Sequence, residues 1–521
     1  MSGPARLTLA YAGSGVLAGM FGMAVAHLCA SLLDPQSSPV LAVGSTVIDA
    51  TPTPVKEWAV REFGTSDKPI LIGSVLGVTL VAAALAGVLA RTRLGLALAA
   101  LGLLVALAGA ATLLRPGAEP VDLVPALTAA LGGLLALGWL ARSLGSGSRA
   151  APGPRRREDT TADAGGTPAT ASRRGFLIGS GVLALGGAVA AGAGQWIVRA
   201  RARISDIVLP RPAAAAAALP GGLEQEHAGI TPFRTSNRSF YRVDTKLSVP
   251  LVDHGSWELT VDGLVDDKLT YSYDDLLGLA LEEHDITLTC VSNEVGGKLV
   301  GGARWLGVPV RSLLAEAGVS ARADQLLTTD VDGFRISTPL GAVTDDRPAL
   351  VAVGMNGEVL PREHGFPARL VVPGLYGFVG ATKWLTRMTV TTYDAEQAYW
   401  TRRDWATDAP IKISSRIDTP EPFSDVEAGR VVIGGIAWAQ QNGIARVEVR
   451  IDGGAWQQAR LGPEAGVDYW RQWYLPWEAR RGSHQIAVRA TGADGTVQTA
   501  ARATPFPNGS SGIQDVVVNV A

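Results

Sequence analysis

The sequence predicts an all-α membrane region of about five helices, followed by an α+β domain and a C-terminal β-sandwich. Three observations predict it. Five long apolar runs crowd the first 200 residues, short strands alternate with short helices from about residue 205, and from Ile411 short strands run between Gly, Asp and Pro turns. The segments are residues 1–142 for four helices, 143–174 for a linker, 175–204 for a fifth helix, 205–410 for the α+β domain and 411–521 for the sandwich.

A chain of 521 residues is too long for one ordinary domain. Its formal net charge of −2 hides a division. Ala, Leu, Gly and Val dominate the first 200 residues, and most acidic residues, tyrosines and tryptophans follow them. No basic block of the needed size occurs in the folded part, which argues against nucleic acid as a partner. The two cysteines are Cys29, inside an apolar run, and Cys290, so neither a disulfide framework nor an iron–sulfur cluster is expected.

The first four apolar runs are Leu7–Leu33, Ile70–Ala90, Leu94–Leu114 and Leu123–Leu140. Each approaches or exceeds the roughly 18–20 residues that cross a hydrocarbon core as a helix. One such run would fit a buried core helix, but four in succession with almost no charge point to a membrane. A polar loop (34–69) and a short one (115–122) interrupt them. If the runs alternate, Arg6, Arg91, Arg93, Arg142, Arg149, Arg155, Arg156, Arg157, Arg173 and Arg174 share one side. The opposite loops hold only Lys56, Arg61, Lys68 and Arg115. The positive-inside bias then makes the N-terminus and the linker cytoplasmic, and predicts a multi-pass cell-membrane protein whose C-terminal half is extracytoplasmic.

The linker is rich in Pro, Gly, Ala, Thr and charge and reads as disordered. At its end Ser172-Arg173-Arg174-Gly175-Phe176-Leu177 looks like a twin-arginine export signal ahead of the fifth run, which ends near Val198. Arg199, Arg201 and Arg203 follow on the outer side and count against the orientation. His27 is the only histidine in an apolar run; a b-type haem between helices needs two, so no haem is expected either. Ionisable residues are otherwise nearly absent from the runs, which speaks against a transporter.

Ser205–Ile230 is an Ala- and Pro-rich spacer. Trp257–Val265 reads as a strand and Tyr271–Leu281 as a helix. Asp285–Cys290 is a strand with Ile286, Leu288 and Cys290 on one face and Thr287 and Thr289 on the other. Val291–Gly297 is turn chemistry. On pattern alone, Cys290 fits a buried core cysteine or a thiolate ligand for a soft metal. Val310–Ala317 is a short helix, and Asp330 and Asp332 sit in a turn, capping it or facing a ligand. Next come His364-Gly365-Phe366-Pro367-Ala368-Arg369, Pro373-Gly374-Leu375-Tyr376-Gly377 and Ala381-Thr382-Lys383-Trp384. A guanidinium and an ammonium near backbone amides suit a terminal phosphate. In the sandwich region, Asp452-Gly453-Gly454 and Ala493-Asp494-Gly495 are hairpin signals.

Three stretches together resemble the sulfite oxidase family of molybdopterin-dependent enzymes: DITLTCVSNEVGGKLVGGARWLGVP (Asp285–Pro309), SFYRVDTKLSVP (Ser239–Pro250) and MNGEVLPREHGFPARLVVPGLYGFVGATKWL (Met355–Leu385). The resemblance covers the region after Ser205. It implies a sulfite-oxidase-type molybdopterin domain, an immunoglobulin-like sandwich that mediates a homodimer, and a molybdenum–molybdopterin cofactor. Cys290 is then the metal thiolate and, with Arg242, catalytic. Phe240, Tyr241, Arg242, Asn293, Asp332, His364, Arg369, Ala381, Thr382 and Lys383 become cofactor-binding residues. Arg242 and the metal are expected to keep Cys290 deprotonated, and Arg471, between Trp470 and Trp473, to approach the active site.

The expected activity is oxygen-atom transfer to or from a small oxo-anion or sulfoxide, with electrons exchanged through a separate carrier. The sequence departs from the family at several places. Asp244 and Thr245 stand where an early histidine is expected, and Phe334 lies near the place of a pocket tyrosine. An arginine expected five residues beyond the cysteine is replaced by Val295, with Glu294 before it. A carboxylate there would repel a dianion by roughly a few kcal/mol at an effective dielectric near 20, so a sulfoxide fits at least as well as sulfite. The competing reading is a metal-free, membrane-anchored binding or adhesion module that kept the fold. The joint presence of Cys290, His364, Arg369 and Lys383 argues against it.

Overall fold

The structure, a computed structural model, describes residues 3–521 apart from 53–54, 56–57, 60–61, 64–65, 116–117, 149–172, 202–203, 205–206 and 245. It divides into two compact units: Met1–Arg203 with Thr245–Leu251, and Ile204–Asp244 with Val252–Ala521.

The first unit is helical. Its helices are α1 (Gly3–Leu32), α2 (Pro39–Ala50), α3 (Asp67–Ala90), α4 (Leu94–Leu113), α5 (Val124–Ser148) and α6 (Arg173–Arg201). Among the described residues, five of them contain spans long and apolar enough to cross a membrane: Ala5–Leu32, Lys68–Ala90, Leu94–Leu113, Pro120–Gly145 and Gly175–Arg201. Helix α2 lies inside the stretch expected to be a polar loop. It begins at a Ser38-Pro39 start, where proline's fixed φ suits the first helical turn, and its 12 residues are too few to span. The linker's first residues, to Ser148, continue α5; its remainder, with Arg149, Arg155, Arg156, Arg157 and Ser172, lies outside the described residues.

Helix α1 packs on α3, α5 and α6. Apolar burial drives little association between helices in lipid, so close backbone approach through small residues matters there. Gly22 supplies it: a Cβ at this position would lie 2.8 Å from the Ala129 carbonyl oxygen and 3.2 Å from the Gly133 backbone on α5. Polar contacts tie one end of the bundle. Arg115 pairs with Asp34 at 2.8 Å, and the Arg201 guanidinium donates to the Ser31 and Leu33 carbonyls at 2.6 and 3.2 Å. Arg201 thus caps orphan carbonyls at the C-terminus of α1.

The second unit contains four sheets. Strands β1 (Glu258–Gly263) and β2 (Leu269–Ser272) precede a short helix, α7 (Tyr273–Gly278), so Tyr271 is in a strand and the helix is shorter than expected. Ser272 caps that helix through the Asp275 N–H, which is why it starts there. Then follow β3 (Glu282–Thr289), β4 (Val300–Pro309), α8 (Val310–Ala317), β5 (Gln325–Asp330), β6 (Arg335–Pro339), β7 (Leu350–Met355), β8 (Glu358–Val359), β9 (Arg369–Val371) and β10 (Leu385–Thr391). One sheet runs β3-β4-β7-β8 with β9 on β7; the other runs β2-β1-β10-β5-β6. A common core joins them through Val308, Val351 and Leu370 on the first sheet, Leu259, Met388 and Val390 on the second, and Leu313 and Leu314 of α8.

The C-terminal part begins at β11 (Ser414–Thr419), followed by β12 (Asp425–Val426), β13 (Gly429–Trp438), β14 (Ile444–Ile451), β15 (Gln457–Gln458), β16 (Arg460–Leu461), β17 (Arg471–Ala479), β18 (Gly482–Gly492) and β19 (Gln514–Val520). The sheets β11-β13-β17-β16 and β12-β19-β18-β14-β15 enclose one core, with Ile433 and Trp473 from one and Val447, Ile486 and Val518 from the other. Asp452 and Gly453, both at positive φ (50° and 70°), make the tight turn between β14 and β15.

Replacing Gly22 with leucine is expected to lower the yield and thermal stability of the detergent-solubilised full chain. Gly13→Leu should leave both unchanged, because a Cβ at Gly13 meets nothing within 4 Å. Fluorescence-detected size exclusion and thermal unfolding of the two variants check this.

Candidate functional site

Cys290 follows the last residue of β3 and is 8% exposed. The strand alternates as expected: Ile286 and Leu288 enter a core with Phe240, Ala303, Trp305, Leu350 and Met355. Its other face is buried too. The Thr287 hydroxyl accepts the Trp470 N–H at 2.9 Å, the Thr287 N–H donates to the Asp468 carbonyl at 2.9 Å, and the Gln440 amide donates to the Thr287 carbonyl at 2.8 Å. The sandwich therefore grips β3 directly.

After the strand the chain folds into a closed turn. The Cys290 N–H donates to the Leu299 carbonyl and the Asn293 N–H to the Cys290 carbonyl, both at 3.0 Å. The Asn293 Oδ1 accepts the Leu299 N–H at 2.8 Å, so this side chain shapes the turn. Burial pushes the Cys290 thiol up, against hydrogen bonds from Ser292 and the charge of Lys383 that pull it down. The cation whose charge acts on Cys290 is Lys383, and desolvation by burial is the larger influence.

The expected phosphate-type residues do gather. The Lys383 Nζ donates to the Asp244 carboxylate at 3.1 Å and the Glu363 carbonyl at 3.0 Å. Arg242 Nε bonds the same Asp244 oxygen at 2.9 Å, with its side chain 36% exposed. Arg242 therefore turns to Asp244, and its partner is a carboxylate in the place of the family histidine. Arg369 is 4% exposed, donates to the His364 carbonyl at 3.0 Å and lies 5.0 Å from the Trp305 ring centroid. Among the described residues no carboxylate pairs with it. Burial lowers Arg369 to about 10 and Lys383 to about 8. Two cations thus share one carboxylate and Arg369 adds a third positive charge, an excess that suits a phosphate group. Gly365, at φ 116°, lets the loop lie on Lys383, since a Cβ there would sit 3.0 Å from the Lys383 Cα.

His364 is 2% exposed, and its Nε2 donates to the Asn237 carbonyl at 2.7 Å. Its Nδ1 is then an acceptor, buried and without a partner among the described residues. Phe240 stacks on Tyr241 at 5.1 Å and meets His364 edge-on at 5.5 Å. Burial raises Tyr241, with the nearby charge of Cys290 adding to it.

Other expected residues fall differently. The Thr382 hydroxyl is spent on the Thr328 hydroxyl at 2.6 Å, and Ala381 is half-buried at the end of a short helix. The Asp330 carboxylate caps its turn by accepting the Asp332 and Phe334 N–H groups at 2.9 Å, and Asp332 lends its backbone to that turn. Arg471 does not approach the site: it bonds the Gly462 carbonyl and Glu464, both at 2.9 Å, on its own hairpin. Its neighbours Tyr469 and Trp470 reach inward to the Phe233 carbonyl, each at 2.8 Å. Glu294 is exposed, so water screens it and its repulsion of an anion falls below the sequence-based figure. Phe334 belongs to an aromatic group with Tyr399 and Trp400.

Sequence reasoning missed Tyr376 and the loop 505–512. Tyr376 is 4% exposed; burial raises it to about 12, and the charge on Cys290 adds to the effect. Its place in the Pro373–Gly377 motif was its only signal. The loop bonds the Cys290 turn through Ser510 Oγ to the Asn293 carbonyl at 2.5 Å. Nothing local in Asn508-Gly509-Ser510 distinguishes it from an ordinary turn.

Burial lowers His364 to about 4, its bond to Asn237 opposing this and the charges of Arg369 and Lys383 assisting. The unfolded imidazole takes its proton near 6.5, so between those values the unfolded state binds more protons. Stability should therefore fall by about 3 kcal/mol as pH drops from about 6.5 to about 4. His364→Gln should remove that slope, as denaturant titrations of both proteins at several pH values would show.

Comparison with known proteins agrees with this geometry. The family model described as the oxidoreductase molybdopterin binding domain matches residues 246–400. Mitochondrial sulfite oxidase of Rattus norvegicus is 34% identical over 278 residues, 44% of this chain and 50% of that protein. The NADH nitrate reductase of Solanum lycopersicum is 28% identical over 318 residues, 48% of this chain and 34% of that one. The sulfane dehydrogenase SoxCD from Paracoccus pantotrophus aligns with 26% identity and a TM-score of 0.49 over 56% of this chain and 84% of that one. The chain spans about half the length of the first curated relatives it matches. Residues 246–400 thus match an oxidoreductase molybdopterin binding domain, and the chain around them is similar to sulfite oxidases.

Proposed function

We propose that this chain is a membrane-anchored molybdopterin-dependent oxidoreductase that transfers an oxygen atom to or from a small sulfur or nitrogen oxo substrate. Electrons pass to or from a separate carrier. The observation that carries the reading is the pairing of a buried thiol at a rigid strand end with a nearby group of cations in which Arg242 and Lys383 share one carboxylate and Arg369 pairs with none among the described residues. A metal-free binding module has no use for that excess, which costs desolvation energy.

The residues present fit the cofactor. Cys290 would hold the metal as a thiolate, since a soft cation at the sulfur outweighs the desolvation that otherwise keeps it protonated. Arg369 and Lys383, with Arg242, would hold a terminal phosphate. The unpartnered His364 Nδ1 would accept a hydrogen bond from the pterin, and burial keeps that imidazole neutral for the purpose. Asn293, Ala381 and Thr382 would act through backbone and turn shape rather than through free side-chain groups, and Asp332 from its place in the Asp330 turn. When bound, the cofactor supplies two-electron oxygen-transfer chemistry, while the protein fixes position, charge and the exclusion of water.

The five apolar spans are read as the anchor, with the second unit extracytoplasmic on the arginine count. SRRGFL then serves as the export signal of a protein folded with its cofactor. The sandwich is read as immunoglobulin-like and as the dimer contact.

The full chain, purified from a molybdopterin-producing host, is expected to hold about one molybdenum per chain. Cys290→Ala should lose turnover and change the metal's spectrum, and Arg369→Met should lower cofactor content several-fold. Correctly folded protein without molybdenum or pterin would show the reading to be wrong.

A further inference from the structure

We propose, resting on the oxidoreductase reading above, that Lys412 is the substrate-binding cation of the Cys290 site and selects small oxo substrates carrying one negative charge. The lysine is brought there by a short zipper. The Tyr376 N–H donates to the Ala409 carbonyl at 3.0 Å and the Ile411 N–H to the Gly374 carbonyl at 2.8 Å, pinning residues 409–411 onto 374–376. The next N–H, that of Lys412, donates to the Tyr376 hydroxyl at 3.4 Å. Tyr376 is the buried tyrosine on which the Cys290 charge acts.

The ammonium itself lies on the loop that closes over the Cys290 turn. Lys412 Nζ bonds Asn508 Oδ1 at 3.0 Å and the Gly509 carbonyl at 2.6 Å. One residue further on, Ser510 bonds the Asn293 carbonyl, and the Asn293 N–H bonds the Cys290 carbonyl. Both partners of the ammonium are neutral oxygens, and among the described residues no carboxylate pairs with it. Of the other cations around the site, Arg242 and Lys383 share Asp244, Arg304 pairs with Asp285, Arg416 pairs with Asp418, and Arg369 lies in the cofactor-side group. Arg502 donates to the Ile513 carbonyl, and Lys298 is exposed to solvent on the Cys290 turn.

A half-buried ammonium held only by neutral oxygens retains its attraction for an anion, and one positive charge matches one negative charge. A dianion would keep an uncompensated charge, because Val295 supplies no second cation. A neutral sulfoxide would leave the ammonium without its counter-charge. The Tyr376 hydroxyl oxygen accepts from Lys412, which leaves its own proton to donate to a substrate oxygen.

The test uses the cofactor-free full chain in detergent, so it does not depend on turnover. Cys290 is alkylated with iodoacetate, a monoanion, or with iodoacetamide, which is neutral, and the rates are followed by peptide mass spectrometry. Lys412→Met is expected to lower the iodoacetate-to-iodoacetamide rate ratio about fivefold, an effect that salt weakens, while Lys412→Arg restores it. Lys268→Met, an exposed lysine on the β1–β2 turn, should leave the ratio unchanged. An unchanged ratio in Lys412→Met, or an equal fall in Lys268→Met, overturns the proposal. Molybdenum content of the holoprotein is measured separately, so failure of the oxidoreductase reading is seen independently. With the loaded enzyme, Lys412→Met should raise KM for a monoanion such as nitrate and leave kcat within about twofold, the split expected for a residue that binds substrate in ground and transition state alike.

Discussion

The burial of β3 on both faces is the constraint on which the catalytic unit depends. One face is dry, with Ile286 and Leu288 packed under Phe240 and Trp305. The other is polar, and Trp470, Asp468 and Gln440 from the sandwich satisfy the hydroxyl and backbone of Thr287. An unsatisfied hydroxyl at 0% exposure would cost about 1–3 kcal/mol, so the two domains cannot slide on each other cheaply. The sulfur at the strand end inherits that rigidity. A metal ligand needs it, since a thiolate misplaced by a fraction of an ångström loses its geometry.

Against this rigid frame, the charges are arranged at a cost to stability. Buried cations with one shared carboxylate, a neutral imidazole kept from protonating and a thiol pushed up by desolvation are each unfavourable in the chain by itself. They become consistent once a dianionic, metal-bearing group is considered, because each deficit is a complementary charge or hydrogen bond for it. Local rules broken together in one place mark a site more clearly than any single perturbed group.

What was legible in the sequence follows from the range of the interactions involved. The apolar runs, the alternation of Ile286 and Leu288 and the helix Val310–Ala317 depend on neighbours in sequence, and pattern reveals them. The clustering of His364, Arg369 and Lys383 was legible only through resemblance, since each alone looks like an ordinary solvated residue. Two features left no local trace. Thr287 meets Trp470 across 183 residues, and Ser510 meets Asn293 across 217. Arg242 turned to Asp244 because a carboxylate two residues away competes better for a guanidinium than a distant pocket does. Trp470 reaches inward and Arg471 turns to its own hairpin, because adjacent residues at a strand start point to opposite sides.

The same reasoning bears on the arginines after the fifth apolar run, which oppose the orientation that the other basic residues favour. The positive-inside bias counts charges that meet the aqueous phase and the lipid headgroups. Arg201 is committed to the carbonyls that end α1, one of them at 2.6 Å. A guanidinium bound to orphan carbonyls at a helix C-terminus sits where the macrodipole favours it, and its charge is partly neutralised there. It therefore belongs with Arg115, paired to Asp34 at the same helix end, as a fastening of the bundle rather than as a topological signal. If the runs cross a membrane, setting such a fastened charge aside removes one of the arginines that count against the orientation expected from the sequence.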